Sequence, residues 1–560
     1  GGPERWVARD LPAPDVAAQA PSAGLAGTLI GGDPLVRRLQ ASLATLRFRT
    51  DRRFCTQANY HGCADGVGLL VDADRGLVLT DRHSAPQSLG DVEVTLAGGA
   101  ATVDGDVAFI HPLHNLAVVR CDLKALAALK RENDLPLKAA TFAKEATNSP
   151  RPGDELHFVG FDNQGNLFGT QVSVSAVYLP SGRDEFPMWD MPRFRERNLE
   201  IIVLADTPED ARGGVLCDRS GTVRALFAAF DWPGPNREES TEAYGISAAV
   251  FSDLVDSLQQ RAGELLQVPS LDVEVASVDM STLARGAAGS LPRAWLQAVG
   301  RKCGRQGQVA RAMRVHRILP TGASDGSLRP GDVLLSIAGC TISSALDMDL
   351  ALLAQLNLAK PPTQKGVRKR PAGNGNVGTS GGQQSAFKVM VKVFRDGEEL
   401  CVGIAPALLG SEDDSRLIIW AGLVLRRTPR CILERCDQTV AHLAGDVFVQ
   451  NLLSGSPAEA RGIAPHCFFM ELLGQPISTL DDVLAALQSQ QEISHGSASS
   501  SSVNLQHVST DPERSWARIR VVDLHGQEHV CALQCDSLFF PTLDLHRVEG
   551  GRWRCVQPGC

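Results

Sequence analysis

Beyond residue 265 the sequence repeats one pattern twice, and that repeat constrains the fold more than any other feature. Each copy reads as an apolar strand, a Gly-containing turn, a second strand ending near Gly, a helix and a closing hairpin. In the first copy Val315 to Leu319 precedes Gly331-Asp332-Val333-Leu334-Leu335-Ser336-Ile337-Ala338-Gly339. A helix then runs through Leu346 to Leu356, and the hairpin turns at Asp396-Gly397. In the second copy Val447 to Leu453 precedes Phe468 to Gly474, the helix is Leu480 to Leu487, and the hairpin turns at His525-Gly526. Asp-Gly suits a two-residue turn because both central positions accept positive φ; His-Gly is a weaker signal. Each copy carries an insertion between helix and hairpin, Gly/Pro/Gln-rich over 360–385 and Ser-rich over 494–511, and both read as flexible loops. Arg368-Lys369-Arg370 in the first insertion suits either a solvated loop or a nuclear-import signal.

Ahead of the repeat the pattern changes. Residues 1–32 are rich in Pro, Ala and Gly and read as a linker. From 33 to 262 short apolar runs alternate with turn signals. Gly66 to Val71 and Gly76 to Thr80 flank Asp72 to Arg75 as a hairpin, and Asp91 to Leu96 alternates polar and apolar residues. Leu116 to Val119, His157 to Gly160 and Gln171 to Val174 are further short strands. Many short strands at close spacing predict an all-β barrel or sandwich. Phe251 to Arg261 has helical spacing and closes the unit.

Bulk properties agree and exclude several classes. A chain of 560 residues allows about three to four domains. Hydrophobic residues at 43% and charged residues at 21% match a globular mix, which excludes a mainly disordered, collagen-like or coiled-coil chain. A net charge of −9 gives no basic footprint for nucleic acid. No apolar run is long enough for a membrane-spanning helix. The chain opens Gly1-Gly2-Pro3 with neither Met nor a charged-then-apolar leader, so a processed chain or a fragment is expected, without a targeting signal. The cysteines number 14, without a CxxC pair, and read as free thiols of a reducing compartment.

Three segments of the first unit concentrate polar residues beside strands: Thr80-Asp81-Arg82-His83, His114-Asn115-Leu116-Ala117, and Asp210-Ala211-Arg212-Gly213-Gly214-Val215-Leu216. Metal is a competing reading. His111 and His114 lie three apart, and His529, Cys531 and Cys535 share one strand face, but structural zinc needs about four convergent ligands and nothing completes either set. Neither a metal nor a cofactor is therefore expected. Ser220, in Asp218-Arg219-Ser220-Gly221, reads as a turn residue.

These segments resemble the HtrA/Deg serine proteases, in which a chymotrypsin-like double β-barrel precedes PDZ domains. In that family His lies in T-N-A-H, Asp heads a D-[LI]-A-[VL]-[LI] strand and Ser lies in G-N-S-G-G-P-L. The resemblance spans about residues 35 to 548. It is nearest to the large branch of plants and fungi with two protease-like domains and several PDZ domains, and within it to the C-terminal half, whose protease domain is degenerate. It implies a mainly β chain: a double barrel over 33–262, PDZ-like α+β modules over 268–408 and 415–548, and a tail over 549–560.

Carried over by position, the resemblance puts His83 at the general base, Asn115 at the orienting acid and Arg212 at the nucleophile. A one-residue shift would put Gly213 at the nucleophile instead. Asp210 and Val215 replace the Gly and Pro of the oxyanion turn. A triad needs a hydroxyl, an imidazole to take its proton and a carboxylate to hold that imidazole. Asn offers an NH2 that favours the wrong tautomer, Arg cannot form an acyl-enzyme, and Asp210 opposes a developing oxyanion. A catalytically dead domain is expected. Its tasks would be scaffolding, oligomer contacts and the capture of unfolded or C-terminal peptide segments in protein quality control. Two alternatives stay open, an active ATP-independent serine endopeptidase and a pure PDZ adaptor. The resemblance implies an intracellular setting, nucleus or chloroplast.

The peptide site is expected in the second module. Trp420-Ala421-Gly422-Leu423-Val424 resembles the carboxylate-binding loop, faced by a helix that starts at Ser478-Thr479-Leu480-Asp481. Gly455-Ser456-Pro457-Ala458 and Leu473-Gly474-Gln475-Pro476 fit the same pattern. The alternative is that Trp420 to Val424 is a core strand. In the first module Met280 to Arg305 is long and atypical and leaves the equivalent loop obscure.

Overall fold

The computed structural model describes residues 33–50, 54, 62–133, 137–180, 193–233, 239–260, 266–285, 291–306, 310–320, 322–359, 387–411, 415–434, 440, 446–496, 516–536, 538–548 and 552–556. The expected linker over 1–32 and the first insertion lie outside these residues, as does most of the second.

Helix α1 (Pro34–Gln40) opens the described chain, with Asp33 capping Leu35 N and Pro at its first position. Strands β1 (Leu43–Arg49), β2 (Cys63–Asp72), β3 (Leu77–Thr80), β4 (Asp91–Leu96), β5 (Ala101–Ile110) and β6 (Ala117–Cys121) close in the order β1-β2-β3-β6-β5-β4. Helix α2 (Leu123–Asn133) leads to the second barrel: β7 (Glu155–Asp162), β8 (Leu167–Tyr178), β9 (Ile201–Leu204), β10 (Ala211–Cys217), β11 (Val223–Pro233) and β12 (Glu239–Ser247), ordered β10-β11-β12-β9-β8-β7. Helix α3 (Ala248–Gln260) follows. Full closure leaves neither barrel a free edge. One apolar cluster runs through both: Leu69, Leu79 and Val118 belong to it with Val159, Val215 and Ile246.

The first module comprises β13 (Val268–Ser270), β14 (Val273–Asp279), α4 (Met280–Arg285), α5 (Arg293–Gln306), β15 (Arg311–Ile318), β16 (Val333–Ile337), β17 (Cys340–Thr341), α6 (Ala345–Ala359), β18 (Val389–Arg395), β19 (Glu398–Ile404) and β20 (Ala407–Leu409). Its sheet runs β14-β15-β16-β18-β19, while β13 pairs with β20 apart from it. The atypical stretch after Met280 becomes α4 and α5. Trp295 of α5 packs with Val333, Leu335 and Phe394 and donates its indole N–H to Leu335 O at 2.9 Å. At Asp396-Gly397 both residues take positive φ, and the hairpin closes in two residues as expected.

The second module repeats this order: β21 (Arg416–Trp420), β22 (Leu423–Arg427), α7 (Arg430–Leu433), β23 (Val447–Leu452), α8 (Pro457–Ala460), β24 (Cys467–Leu472), β25 (Gln475–Pro476), α9 (Leu480–Gly496), β26 (Trp516–Val522), β27 (Glu528–Gln534), β28 (Leu543–Arg547) and β29 (Trp553–Val556). Its sheet runs β27-β26-β24-β23-β22-β21-β28-β29. Two readings change here. The last hairpin does not turn in two residues at His525-Gly526. Asp523 Oδ1 accepts from His525 N and Gln527 N, which widens the loop to 523–527, and of the pair only Gly526 takes positive φ. Trp553–Val556, expected in the tail, pairs with β28. The hairpin of β28 and β29 fastens this module to the first barrel: Trp553 Nε1 donates to Ser88 Oγ at 3.1 Å, and Leu545 packs with Phe54 and Leu89.

Candidate functional site

Two turns of the first barrel and strand β11 of the second meet in one buried cluster. Asp81-Arg82-His83-Ser84 follows β3. Asp81 Oδ1 accepts from Ser84 N at 2.7 Å, and Oδ2 accepts from Ala229 N at 3.2 Å. Arg82 is fully buried, 3.2 Å from the Phe194 ring centroid, and donates to His111 O at 3.1 Å. Burying a guanidinium costs several kcal/mol (order of magnitude) unless it is paired, so this ring and carbonyl hold the turn in place. Asn115 is also fully buried: its Oδ1 accepts from Arg82 N at 2.8 Å and its Nδ2 donates to Ala229 O at 2.6 Å. Its NH2 therefore serves a backbone carbonyl rather than the imidazole that the sequence reading expects it to face.

The imidazole has a different acid behind it. His83 Nδ1 lies 3.2 Å from Asp231 Oδ2, and Asp231 Oδ1 accepts from Thr241 Oγ1 at 2.7 Å. Burial opposes protonation of His83, but the hydrogen bond and charge of Asp231 outweigh it and hold its pKa above the ordinary imidazole value. Burial likewise opposes ionisation of Asp231, and the His83 bond outweighs it, so this carboxyl lies below the ordinary range. Sequence reasoning missed Asp231. The available signal was an acid two residues past Ala229, hence on the same face of a strand that is apolar from Ala225 to Phe230.

Arg212 is directed elsewhere. It sits at a bulge where β10 pairs with β7, and its Nη2 donates to Asn163 O at 2.6 Å. Asp210 takes φ of 58°, and its carbonyl accepts from Asn163 N at 3.0 Å. The segment expected to carry a nucleophile is thus stitched to the turn after β7, and Gly213 lies beside Val67 at the junction of the barrels. His83 and Asn115 come together; Arg212 joins Asn163. Ser220 lies in a turn whose Asp218 Oδ1 accepts from Ser220 N and Ser220 Oγ.

His111 and His114 stack with ring centroids 4.5 Å apart. His111 Nδ1 accepts from Leu113 N and His114 N, which needs a neutral ring, and burial holds its pKa well below the ordinary value. Among the described residues no group of three or more His, Cys, Asp or Glu side chains could hold a metal ion.

Trp420 to Val424 are all buried. Trp420 pairs with Leu423 across a two-residue turn, Ala421-Gly422, whose φ values are 49° and 86°. A Cβ on Gly422 would lie 2.0 Å from Ser456 Cβ. In place of an open loop the structure has a hairpin, and β22 is hydrogen-bonded on both sides, by β21 and β23. The residue pattern of a carboxylate-binding loop and that of a tight turn coincide here, because each needs Gly at positive φ between apolar neighbours.

No protein-family model matches the chain. It is 27% identical over 491 residues to a pro-apoptotic serine protease of Yarrowia lipolytica, covering 87% of this chain and 42% of that protein. A pro-apoptotic serine protease of Saccharomyces cerevisiae is 24% identical over 86% of this chain and 41% of its own length. A PDZ domain-containing protein of Schizosaccharomyces pombe is 23% identical over 88% and 42%. The chain is thus similar in sequence to serine proteases and to a PDZ domain-containing protein. It spans less than half the length of these curated relatives. Among solved structures, the HtrA-type protease AlgW with a decapeptide superposes at a TM-score of 0.37 and 17% identity, over 67% of this chain and 98% of that one. A serine endoprotease from Yersinia pestis gives 0.35 and 14%, over 67% and 97%. The double barrel of the HtrA-type fold is visible in the two closed six-stranded sheets themselves. No helix among the described residues is long and apolar enough to cross a membrane.

Proposed function

We propose that this chain is the non-hydrolytic, PDZ-bearing half of an HtrA-type serine endopeptidase. It would act in scaffolding, in oligomer assembly and in the capture of unfolded or C-terminal peptide segments for protein quality control. The units are a barrel domain over 33–262 and modules over 268–408 and 415–548. The observation that carries the reading is the use made of positions 115 and 212. The Asn115 amide is spent on Arg82 N and Ala229 O, and the Arg212 guanidinium on Asn163 O. Acyl transfer needs a hydroxyl or thiol, and neither residue supplies one.

An active endopeptidase is the second reading, and one observation favours it: His83 does have a carboxylate at Nδ1, that of Asp231. Incubating the purified chain with fluorescently labelled casein separates the two. We expect no cleavage above buffer. Cleavage that disappears in His83→Ala would overturn the non-hydrolytic reading. Peptide capture by Trp420 to Val424 carries a condition: β21 must leave β22 before another strand can add.

A further inference from the structure

Where the barrel meets both modules, three acids and three arginines interlock. Arg317 of β15 donates to Glu274 of β14 through Nε at 3.2 Å and through Nη2 at 2.7 Å. Arg197 of the barrel has its Nε 3.5 Å from the same carboxylate and pairs through Nη2 with Glu434 of the second module. Arg430 of α7 donates through Nε to Glu434 at 2.5 Å and pairs through Nη2 with Asp272, in the turn ahead of β14. The two signs balance, and the pairs cross all three units. Charges withdrawn from water in this way persist only when they are paired with one another.

A cleft opens on one side of this network. Pro112, Phe194 and Cys431 form part of its wall, and its charged lining is Arg193, Arg195, Arg197, Arg430 and Glu434. Arg197, Arg430 and Glu434 belong to the balanced set. Arg193 and Arg195, both half-buried, bring two further positive charges to the same cleft. Arg193 is within electrostatic reach of Asp231, whose carboxyl already bonds His83 and Thr241, and Glu196 acts on His83. The lining itself sets four guanidiniums around one carboxylate. A guanidinium is a planar fork of N–H donors that fits two oxygens of an oxyanion, and forks converging from separate segments suit a tetrahedral one. The two added charges match a phosphate group, which carries about −1.5 to −2 near neutral pH, whereas a carboxylate supplies a single charge.

We infer that this cleft binds a phosphate group, held by Arg193 and Arg195 of the barrel and by Arg430 of the second module. Bound there, the anion would bridge the barrel to α7, and through the pair of Arg430 with Asp272 it would reach the first module as well. It would also steady Phe194, whose ring lies against Arg82, the residue before His83. The ligand is thus placed to fix the barrel against both modules. The inference goes beyond the capture role proposed above and does not depend on it.

Isothermal titration calorimetry on the full chain, near neutral pH and at constant ionic strength, tests it with inorganic phosphate and O-phosphoserine as probes. At least one should bind saturably at one site. The tighter of the two shows whether the group is taken free or carried on another molecule. Arg195→Gln should weaken that binding about tenfold, a loss of about 1.4 kcal/mol. Arg37→Gln, on the exposed side of α1, should leave it unchanged. The inference is overturned if neither probe binds saturably, or if a folded Arg195→Gln binds as wild type does. Equal weakening by Arg37→Gln overturns it too, since that would be a general response of the surface to anions. If Arg195→Gln does not fold, Arg195→Lys keeps the charge and removes the fork. Weaker binding than wild type then supports the site, and unchanged binding overturns it. Casein hydrolysis is a separate measurement, so the failure of one reading does not imply failure of the other.

Discussion

The two PDZ-like modules share a topology and close one edge of their sheets in opposite ways. In the second module β21 hydrogen-bonds to β22, and β28 and β29 extend the sheet beyond it. In the first, the equivalent β13 pairs only with β20, and the barrel residue Asn198 hydrogen-bonds to Val273 and Val275 of β14. The turns differ reciprocally. Leu453 N donates to Gly422 O at 2.8 Å, and Leu319 N donates to Asp272 O at 2.9 Å, so Gly422 and Asp272 are equivalent. Three residues past each leucine stand Ser456 and Gly322. In one module a glycine turn accommodates a serine; in the other a glycine accommodates an aspartate, whose Cβ would lie 2.6 Å from a Cβ at Gly322. The bulk has exchanged sides while the contact is kept. Ser456 Oγ caps Glu459 N, and Asp272 Oδ2 accepts from Ala323 N, so each polar group serves the turn that follows. Asp272 also pairs with Arg430 of the second module, which makes the first module's turn part of an interface.

If the turns are reciprocal, repairing one with the other's residues should show coupling, and this is the largest effect expected. Gly422→Asp alone should cost about 3 kcal/mol, because it forces a Cβ onto Ser456 at positive φ. Adding Ser456→Gly should restore at least about 1 kcal/mol of that loss. Urea denaturation measures both, and strictly additive losses would break the equivalence.

A smaller effect concerns the barrels that the modules dock against. His83 lies above its ordinary value of 6.5 and Asp231 below its ordinary 3.8. The stability gained through His83 is fully present below 6.5 and is lost as the pH rises through its higher folded value. The stability gained through Asp231 is present above 3.8 and is lost as the pH falls through its lower folded value. Asp231→Asn should therefore destabilise by about 1 kcal/mol between these limits and by less on either side, since both groups keep some solvent contact. A pH-independent difference would mean that the bond is merely steric.

Much of this was legible in the sequence. The repeat could be read because Gly turns and helical spacing recur in register, and Asp396-Gly397 names its own turn type. The barrels followed from short strands and close turn signals. Three features lay beyond such reading. Asp523 widens a hairpin through its own side chain, an effect that no dipeptide encodes. Asp231 reaches His83 across the barrel junction, 148 positions along the chain, with no motif around it. Asn198 meets Val273 from another domain, 75 positions away. Local patterns report backbone preferences, whereas these contacts depend on tertiary placement.

The most direct measurement is intact mass after exposure of the purified chain to a fluorophosphonate, which reacts with an activated serine. An unmodified mass is the result the proposal predicts, because neither Asn115 nor Arg212 carries a hydroxyl. A stoichiometric adduct, absent in His83→Ala, would contradict the account.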